Sequence, residues 1–487
     1  MADPNKHLRE DQIEDLSLLI ANPKFGLLND PGTGKTPTVC VYAQYLWKEL
    51  GIKTFWPQPK GLMRKNRDEL LTWTDFKEEE VVIIDGNKRQ REHQMLNPFA
   101  KVFLMGFSRF ADDWKTLKML HPNAGAVFVD EFHMGFKTAD SKRTLSLLEA
   151  FAPHRPSFTH FVPMSGTLIA GRLDNAYSAI KIIEPRYYTN HFDFLRQHAI
   201  MDGWGNIVGW TNHEKLGRIF QNHFSRRSFE SVYGDQTPII VPEVCDMPPK
   251  QRAAYQEFED KALLELENAF LSGSTGGVFA LRCRQICAHP QSFGLMKDNE
   301  LTGKDELLQV HLENHKNDGK PLLIFAALVP EQERIARLCT AAGLKVGLIN
   351  GSVTTTQRDQ IDRDFRAGVI DVIVGSPATM AVGYNWGHVD HVIFASIDYQ
   401  DDNFVQAYKR AIRGVRKRPL LIHVLEYRNS IDQVMFAIVN HKSQHLHKID
   451  KSYGTLSLGE KTAQMREEQE RLNAEELPSE SFSSSGF

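Results

Sequence analysis

The sequence has few cysteines and no long hydrophobic run. Its 487 residues include only five cysteines, an odd number. Sparse cysteines of this kind are typical of free thiols in a reducing compartment, and they argue against a disulfide framework. Nowhere do about 18 apolar residues follow one another, and the opening segment MADPNKHLRE lacks the apolar stretch of a signal peptide. We therefore expect a cytoplasmic protein that neither spans a membrane nor is secreted.

An excess of charge of one sign is also missing. Lys and Arg total 58, Asp and Glu total 61, and the formal net charge is −3. Bulk electrostatics therefore give no indication of a nucleic-acid partner, and such a partner would have to bind a local basic surface. The composition, 41% hydrophobic and 24% charged, excludes collagen-like, coiled-coil and fully disordered chains. At about 150 residues per domain, the length predicts about three domains, or two large ones with extensions.

Two groups of short β-rich runs alternate with longer helical patterns. The first group comprises residues 25–28, 81–84, 102–105 and 127–129. The second group comprises residues 322–325, 346–349, 370–374, 392–394 and 420–422. Runs that are apolar throughout are typical of strands buried on both faces, and their alternation with helices indicates parallel βαβ units. The fold class is therefore predicted to be α/β, with two parallel-sheet domains in tandem.

The segments outside these groups set the predicted domain limits. Residues 234–302 begin with a proline-bearing stretch and continue with helix-forming sequence, so we interpret them as a helical bridge. The N-terminal domain then spans residues 1–233 and the C-terminal domain residues 303–453. Residues 454–487 are rich in Glu, Gln and Arg and end in SFSSSGF, which cannot bury enough apolar surface to hold a fold. They predict a polar helix and a disordered tail, to which protein partners could bind.

A phosphate-binding loop is predicted directly after the first run. The segment is Asn29-Asp30-Pro31-Gly32-Thr33-Gly34-Lys35-Thr36, and a helical pattern follows it. Small residues let backbone N–H groups surround phosphates at a helix N-terminus, while Lys35 would reach the β- and γ-phosphates and Thr36 would bind Mg²⁺. Asn29 replaces the usual first glycine, and asparagine enters left-handed backbone space at low cost. The alternative, an incidental glycine-rich turn, fits less well with the strand and helix that flank the segment.

Two carboxylates follow the run at 127–129. Asp130 and Glu131 would lie at the carboxyl end of a parallel strand, the edge where such sheets bind ligands. Asp130 would hold Mg²⁺, and Glu131 would position and polarise the attacking water. A solvated acidic turn would be the preferred interpretation if the phosphate-binding loop were absent.

The second domain supplies a basic segment, Gln406-Ala407-Tyr408-Lys409-Arg410-Ala411-Ile412-Arg413. Gln406, Arg410 and Arg413 are spaced by four and three residues, which would place them on one helix face. A guanidinium presented to the γ-phosphate would act as an arginine finger, with Arg413 as the first candidate and Arg410 as the second. The alternative is a solvated basic helix, part of which could contact a nucleic-acid backbone.

Three further residues have metal-ligand side chains. Cys283, Cys287 and His289 are clustered, but no partner Cys-x-x-Cys pair accompanies them. Two cysteines at helical spacing are more typical of buried packing, so we do not interpret them as a metal site.

Taken in order, these motifs resemble those of superfamily 2 helicases and translocases. The motifs that carry the resemblance are Gln12, GTGKT, DEFH, Ser165-Gly166-Thr167, Gly383 and QAxxRxxR. The Swi/Snf-type branch fits best, because LREDQ at Leu8 to Gln12 is similar to its adenine-reading motif and RQICAHP at Arg284 to Pro290 is similar to its "LRxxCxHP" helix. Gly303-Lys304 resembles the start of its second lobe, and the resemblance extends to about Asp432.

The resemblance implies two RecA-like lobes with ATP in the cleft and a nucleic-acid strand crossing both. It implies that ATP is bound by Arg9, Gln12, Asp30, Gly32, Thr33, Gly34, Lys35, Thr36 and Gly383. It implies coupling between the lobes through His133, Ser165 and Thr167. Backbone contacts with the nucleic acid are implied for Lys60, Ser352 and Ser376. The bulky insertions of chromatin remodellers are not recognisable, which suggests a compact viral or bacterial member acting in the bacterial or host-cell cytoplasm.

Three function classes follow. The first, which we favour, is an ATP- and Mg²⁺-dependent motor on DNA, with duplex or branched DNA favoured over single strands and DNA favoured over RNA. The second is a helicase that separates the strands of DNA or RNA, for which a wedge element would be diagnostic. The third is a nucleic-acid-binding scaffold that no longer hydrolyses ATP, against which the presence of Lys35, Asp130, Glu131 and both arginines argues.

Overall fold

A computed structural model of the chain describes residues 7–136, 138–152, 156–166, 173–234, 236–272, 277–380, 384–397, 401–412, 415–416 and 418–436. The strands are β1 Gly26–Leu27, β2 Lys53–Gln58, β3 Val81–Ile84, β4 Val102–Gly106, β5 Ala124–Val129, β6 His160–Pro163, β7 Ala199–Met201, β8 Ile207–Trp210, β9 Phe224–Ser225, β10 Ile239–Cys245, β11 Leu322–Phe325, β12 Val346–Ile349, β13 Val372–Gly375, β14 His391–Phe394 and β15 Leu421–Tyr427. The helices of the first part of the chain are α1 Glu10–Ala21, α2 Lys35–Leu50, α3 Met63–Trp73, α4 Lys88–Met95, α5 Phe107–Leu120, α6 Phe132–Gly135, α7 Lys142–Ala150, α8 Tyr177–Ile183, α9 His191–His198, α10 His213–His223 and α11 Phe229–Tyr233. Those of the second part are α12 Pro249–Ser272, α13 Val278–Ala288, α14 Gly303–Asp318, α15 Val329–Ala341, α16 Thr355–Arg366, α17 Pro377–Met380 and α18 Asp401–Tyr408.

The first lobe is built on a parallel sheet of five strands in the order β3-β4-β2-β5-β6. The short parallel pair β1-β9 continues it, because bridges at Lys24↔Phe161 and Leu27↔Met164 join the β1 segment to β6 and the residue after it. Alternate residues of the strands point to opposite faces, and each face has its own apolar core. Phe55 and Phe103 belong to one core, and Trp56 belongs to the other.

The second lobe is built on a parallel sheet of six strands in the order β10-β15-β14-β11-β13-β12. Its strands are also covered on both faces, since Leu323 and Phe325 pack into one core and Leu322 and Ile324 into another. The predicted α/β class with two parallel sheets is therefore confirmed. The predicted packing of Cys283 and Cys287 is also confirmed, because both are buried in the apolar core of this lobe.

Three strands of the five- and six-stranded sheets escaped the sequence analysis, as did the short strands β7, β8 and β9. The strands β2 (KTFWPQ) and β6 (HFVP) contain polar or proline residues that interrupt an apolar run. The third, β10, lies inside residues 234–302, which were predicted as a helical bridge and otherwise contain α12 and α13. Pro242 is tolerated in β10 because this strand pairs on one side only, with β15, at the edge of the sheet. The domain limits remain predictions, and the tail at 454–487 lies outside the described residues.

Among the helices that the structure describes, none combines the length and apolar character needed to cross a bilayer.

Candidate nucleotide-binding site

Three functional segments meet at one edge of the first sheet. The glycine-rich loop follows β1, Asp130 and Glu131 follow β5, and Ser165 follows β6, which lies between the other two strands. Since these strands are parallel, their carboxyl ends point the same way. The topology therefore brings together residues that are far apart in sequence, at the edge where open parallel sheets bind ligands.

The glycine-rich loop curls around the side chain of Lys35, the first residue of α2. Gly32 and Gly34 have φ of +93° and +89°, a backbone conformation that side chains with a Cβ rarely adopt. A Cβ on Gly34 would also lie 2.5 Å from Gln12 Nε2. The Lys35 ammonium donates to the carbonyls of Asn29 (2.5 Å) and Asp30 (3.3 Å), so it lies inside the loop. The segment therefore has the backbone shape of a phosphate-binding loop.

Asn29 has a different role from the one expected. The described non-glycine residues with positive φ are Glu131, Asn212 and Asn429, so Asn29 does not use left-handed backbone space. Instead, its side-chain amide donates to Asp15 at 2.6 Å. The Asp15 carboxylate is 2% exposed and also accepts hydrogen bonds from Ser225 Oγ and Arg227 Nε. Asn29 therefore fixes the start of the loop to α1 and to the segment that follows β9.

The base-recognition residues implied by the resemblance, Arg9 and Gln12, contact the loop. Gln12 Nε2 donates to the Gly34 carbonyl at 2.9 Å, and Gln12 Oε1 accepts from the Arg9 N–H at 3.0 Å. The Arg9 guanidinium donates to the Thr33 carbonyl and lies 5.3 Å from the ring centroid of Tyr233. Tyr233, at the end of α11, carried no sequence signal, and its hydroxyl lies 3.4 Å from the Gly32 carbonyl.

The two carboxylates take different positions. Asp130 accepts hydrogen bonds from the Glu131 N–H at 3.0 Å and from Asn66 Nδ2 at 3.1 Å. Asn66, on α3, is buried and also donates to Gln58 Oε1 at 2.5 Å. Glu131 has φ +48°, an unusual conformation of the kind that concentrates at functional sites. Asn66 and Gln58 thus orient Asp130, and sequence reasoning missed both because they lie on separate elements.

The electrostatics of the site follow from burial. Burial and the neighbouring Glu131 charge raise the pKa of Asp130 to about 6, although Asn66 and Lys35 oppose the shift. Burial lowers the pKa of Lys35, and the charges of Glu131, Asp130 and Asp30 act against that shift. The site therefore holds two acids and a base in a poorly solvated space, where charges interact strongly.

His133 and Ser165 connect the carboxylates to the end of β6. His133 Nδ1 lies 2.8 Å from Ser165 Oγ and 3.6 Å from Glu131 Oε2. Both His133 and Ser165 are buried. Thr167, the third residue predicted to couple the lobes, lies outside the described residues.

The second lobe contributes Arg410 to the same space. The guanidinium is buried, and its Nε and Nη2 have no hydrogen-bond partner in the described part of the chain. Burial lowers the pKa of Arg410, opposed by the charges of Glu131 and Asp130. Two cationic donors that face acidic groups without bonding to them can accommodate an anionic ligand.

The helical placement predicted for this basic segment needs a correction. Helix α18 ends at Tyr408. The Arg410 N–H then donates to the Ala407 carbonyl and the Ala411 N–H to the Tyr408 carbonyl, three residues back instead of four. Arg410 therefore follows the helix instead of sharing a face with Gln406. Gln406 is buried on α18 and does not line the cavity described next. Arg413 and Gly383 lie outside the described residues.

An ion pair joins the two lobes beside Arg410. Lys409 Nζ lies 2.9 Å from Asp30 Oδ2, and Asp30 also accepts the Phe229 N–H at 3.1 Å. Burial raises the pKa of Asp30, but the Lys409 charge and the hydrogen bond from the Phe229 N–H outweigh this effect. The pKa of Asp30 is therefore below its usual value. Asp30 links the loop to the second lobe in this structure, and its predicted contact with ATP remains a prediction.

A cavity of about 540 Å³ lies between these residues. It is lined by Gly32, Gly34, Lys35, Thr36, Asn66, Asp130, Glu131, Tyr233, Asn385 and Arg410, together with a few neighbours. Its volume is in the range of small-molecule sites, and it combines cations for phosphates with an apolar and aromatic flank. The Thr36 hydroxyl and the Asp130 carboxylate both line it, and oxygen donors of this kind are those that Mg²⁺ prefers.

The residues predicted to contact nucleic acid lie outside this cavity. Lys60 is exposed and pairs with Asp85 at 2.8 Å. Ser352 donates to Asn350 Oδ1 at 2.6 Å, and Ser376 donates to Thr379 Oγ1 at 2.7 Å. Their contact with nucleic acid remains a prediction.

Family models match both lobes. A model described as SNF2-related domain matches residues 21–292, which is more than half of the chain, and one described as helicase conserved C-terminal domain matches residues 303–415. The chain therefore belongs to the SNF2-related family, as the sequence motifs indicated.

Curated relatives are similar over most of this chain. It is 24% identical to a chromodomain-helicase-DNA-binding protein 3 homolog of Caenorhabditis elegans, over 66% of this chain and 18% of that protein. It is 23% identical to the probable ATP-dependent DNA helicase CHR12 of Arabidopsis thaliana, over 88% and 40%, and 22% identical to the DNA annealing helicase and endonuclease ZRANB3 of Mus musculus, over 85% and 38%. The chain thus spans less than half of the length of these relatives. A solved structure of the Sulfolobus solfataricus SWI2/SNF2 ATPase core in complex with dsDNA is 18% identical, with a TM-score of 0.42 over 97% of both chains.

Proposed function

We propose that this chain is an ATP-dependent motor that hydrolyses ATP in the cavity between its lobes and moves on DNA, with duplex or branched DNA as the favoured substrate. The observation that carries the proposal is the buried Arg410 guanidinium. It comes from the second lobe, has two free donors and faces Lys35, Asp130 and Glu131 of the first lobe. A site completed only when both lobes contribute can link hydrolysis to movement of one lobe against the other.

In this proposal the loop residues position the triphosphate. Backbone N–H groups of the loop and the Lys35 ammonium bind phosphate oxygens, and Arg9 and Gln12 hold the base side of the nucleotide. Thr36 and Asp130 would hold Mg²⁺, which would supply neutralisation of the phosphate charge. The Tyr233 ring lines the cavity and lies against the Arg9 guanidinium.

Glu131 and Arg410 act on the reaction itself. The Glu131 carboxylate accepts a hydrogen bond from the attacking water and orients it in line with the γ-phosphate. The Arg410 guanidinium stabilises the charge that develops on the transferred phosphoryl group. His133 links Glu131 to Ser165, which provides a route by which the state of the nucleotide reaches the segment that follows β6.

The test is ATP hydrolysis by the purified protein with duplex DNA, forked DNA, single-stranded DNA, RNA or no nucleic acid, with Glu131→Gln as the blank. We expect strong stimulation by duplex or forked DNA and little by RNA. Stimulation by RNA alone would overturn the DNA assignment. Absence of hydrolysis under every condition would favour the scaffold that binds without turnover.

A second candidate function, strand separation, is favoured by one feature of the first lobe. The antiparallel hairpin β7-β8 carries Trp204 at its tip, with 92% of the residue exposed. Asp202 accepts the N–H groups of Trp204 and Asn206 at 2.9 and 2.8 Å, so the tip is held in one shape. A rigid, exposed indole can stack on an unpaired base at a fork. If Trp204→Ala lowers unwinding of a forked duplex while DNA-stimulated hydrolysis stays unchanged, the hairpin acts as a wedge; equal unwinding by both proteins would exclude that role.

A further inference from the structure

A cluster of two histidines and a glutamate lies on the second lobe, outside the nucleotide cavity. Glu243 is on β10, His423 is on β15 and His311 is on α14. His311 Nε2 lies 2.9 Å from Glu243 Oε2, and His423 Nδ1 lies 2.6 Å from Glu243 Oε1. The three atoms that could act as ligands lie within 4.8 Å of one another. Over the residues that the structure describes, no second group of three or more His, Cys, Asp and Glu side chains meets this spacing.

The sheet register explains why these side chains meet. In the parallel pair β10-β15, Val241 is opposite His423 and Glu243 is opposite Leu425. Glu243 and His423 therefore lie two positions apart on the same face of the sheet. Helix α14 packs on β10 and β15 and brings His311 to them, with the two imidazole rings 4.3 Å apart. The positions are thus fixed by three elements of the fold and not by a loop.

The cluster is enclosed but not sealed. The side-chain exposures of Glu243, His311 and His423 are 22%, 14% and 12%. A small cation and one water molecule can reach such a site, while the backbone around the ligands stays in place. Three protein ligands with an open fourth position is a common arrangement for zinc.

We infer that Glu243, His311 and His423 bind a divalent transition-metal ion, Zn²⁺ in the first instance. Two imidazole nitrogens and one carboxylate oxygen suit zinc better than Ca²⁺ or Mg²⁺, which prefer oxygen ligands alone. Tetrahedral ligands at about 2.0–2.2 Å from zinc are about 3.3 Å apart. The two separations from Glu243, 2.6 and 2.9 Å, are shorter than that value, so the side chains would move apart slightly to admit the ion. Each ligating nitrogen now lies at hydrogen-bond distance from the Glu243 carboxylate, so its proton would have to move through solvent to the other ring nitrogen when the ion binds.

Zinc at this position would fasten the edge strand β10 to β15 and α14. The same segment of chain leads back through residues 234–238 to α11, where Phe229 and Tyr233 bond to the phosphate-binding loop at Asp30 and Gly32. The metal would therefore anchor, on the second lobe, the connection that starts at the nucleotide site. This inference does not depend on the proposed ATPase activity, since metal binding is measured without nucleotide or DNA.

The experiment uses the full chain, stripped of metal with a chelator and dialysed against buffer containing Zn²⁺. Bound zinc is counted by elemental analysis, and Co²⁺ is used in parallel as a spectroscopic probe. We expect one equivalent of zinc per chain, and visible Co²⁺ bands of a tetrahedral site without the sulfur charge-transfer band that cysteine ligands would give. Affinity should fall in His311→Ala and in Glu243→Gln by more than the about 10- to 100-fold that loss of an outer-shell partner causes.

His93→Ala is the matched control, because His93 is an exposed histidine on α4 of the first lobe and should leave zinc binding unchanged. Glu243→Gln preserves side-chain size, so it remains informative if His311→Ala fails to fold, as checked by circular dichroism. Substoichiometric binding by the unaltered protein, or equal affinity in it and in Glu243→Gln, would overturn the inference and leave a hydrogen-bonded cluster that binds no metal.

Discussion

Replacement of Asp130 by asparagine should abolish hydrolysis and at the same time stabilise the nucleotide-free protein. The reason is the raised pKa of Asp130, about 6 against an ordinary value of 3.8, caused first by burial and then by the Glu131 charge. Since the folded state holds the proton more tightly than the unfolded chain, ionisation of Asp130 costs folding free energy, and this cost begins near pH 3.8 and is complete above about pH 6. The difference between the two pKa values, at about 1.4 kcal/mol per pH unit, is worth about 3 kcal/mol at pH 7.5.

An asparagine at position 130 resembles the protonated acid but bonds Asn66 less well. Loss of that hydrogen bond lowers the stability by about 1 kcal/mol, so the expected net stabilisation of Asp130→Asn is about 2 kcal/mol at pH 7.5. The cost of the carboxylate declines as pH falls through 6 toward 3.8 and is about 1.6 kcal/mol at pH 5. The net stabilisation should therefore fall below about 1 kcal/mol at pH 5.

The assay is urea unfolding of the nucleotide- and Mg²⁺-free protein at pH 7.5 and pH 5. The matched control is Asp113→Asn, because Asp113 is also buried but accepts two hydrogen bonds from Arg91, at 2.6 and 3.3 Å. Its loss should destabilise the protein by about 1.5–3 kcal/mol. If Asp130→Asn destabilised the protein at pH 7.5 as the control does, the argument that Asp130 is held in an unfavourable charged state would be refuted.

Three further predictions concern the cleft. Arg410→Ala should lower kcat by about 10³-fold or more while ATP still binds, because its guanidinium has free donors in the cavity. Single-turnover hydrolysis and nucleotide binding measured together would show this. Unchanged turnover would assign the arginine finger to Arg413. Lys409→Asp and Asp30→Lys should each lower kcat, because each places two like charges together where the lobes now pair at 2.9 Å. The double variant should recover activity in steady-state assays. Failure of that rescue would show that the ion pair does not position Arg410. Asn66→Ala should raise the Mg²⁺ concentration needed for half-maximal hydrolysis by about 10- to 100-fold, because Asn66 orients Asp130; an unchanged Mg²⁺ titration would contradict that role.

Much of the nucleotide site could be predicted because its parts are contiguous in sequence. The loop from Asn29 to Thr36 sits between a buried strand and a helix, and Asp130 and Glu131 follow a strand directly. Each motif carries its own local context, and the rule that parallel sheets bind ligands at their carboxyl edge then brings the two motifs together.

The residues that escaped prediction act through contacts that sequence separation hides. Asp15 and Asn29 form a buried hydrogen bond between α1 and the loop. Tyr233 contacts the loop at Gly32, although the two residues are 201 positions apart in the sequence. The ion pair of Asp30 with Lys409 of the other lobe was not predicted either. No local pattern of residue types predicts any of these contacts.

Strand β2 was missed for a related reason. Its ends are polar, yet Lys53 and Gln58 are buried, because Lys53 Nζ bonds to His121 at 3.1 Å and Gln58 accepts from Asn66. A buried polar residue needs such a partner, and the partner lies on another element. An apolar-run criterion therefore detects strands with apolar ends and overlooks those whose polar ends are satisfied by tertiary contacts.

We propose that ATP hydrolysis in the interlobe cavity moves the protein along DNA. Displacement of a third strand from a DNA triplex tests this most directly, because the strand leaves only when a motor travels through the duplex beneath it. We predict ATP-dependent displacement by the unaltered protein and none by Glu131→Gln or Lys35→Ala. DNA-stimulated hydrolysis without displacement, or displacement that persists in both variants, would contradict the account.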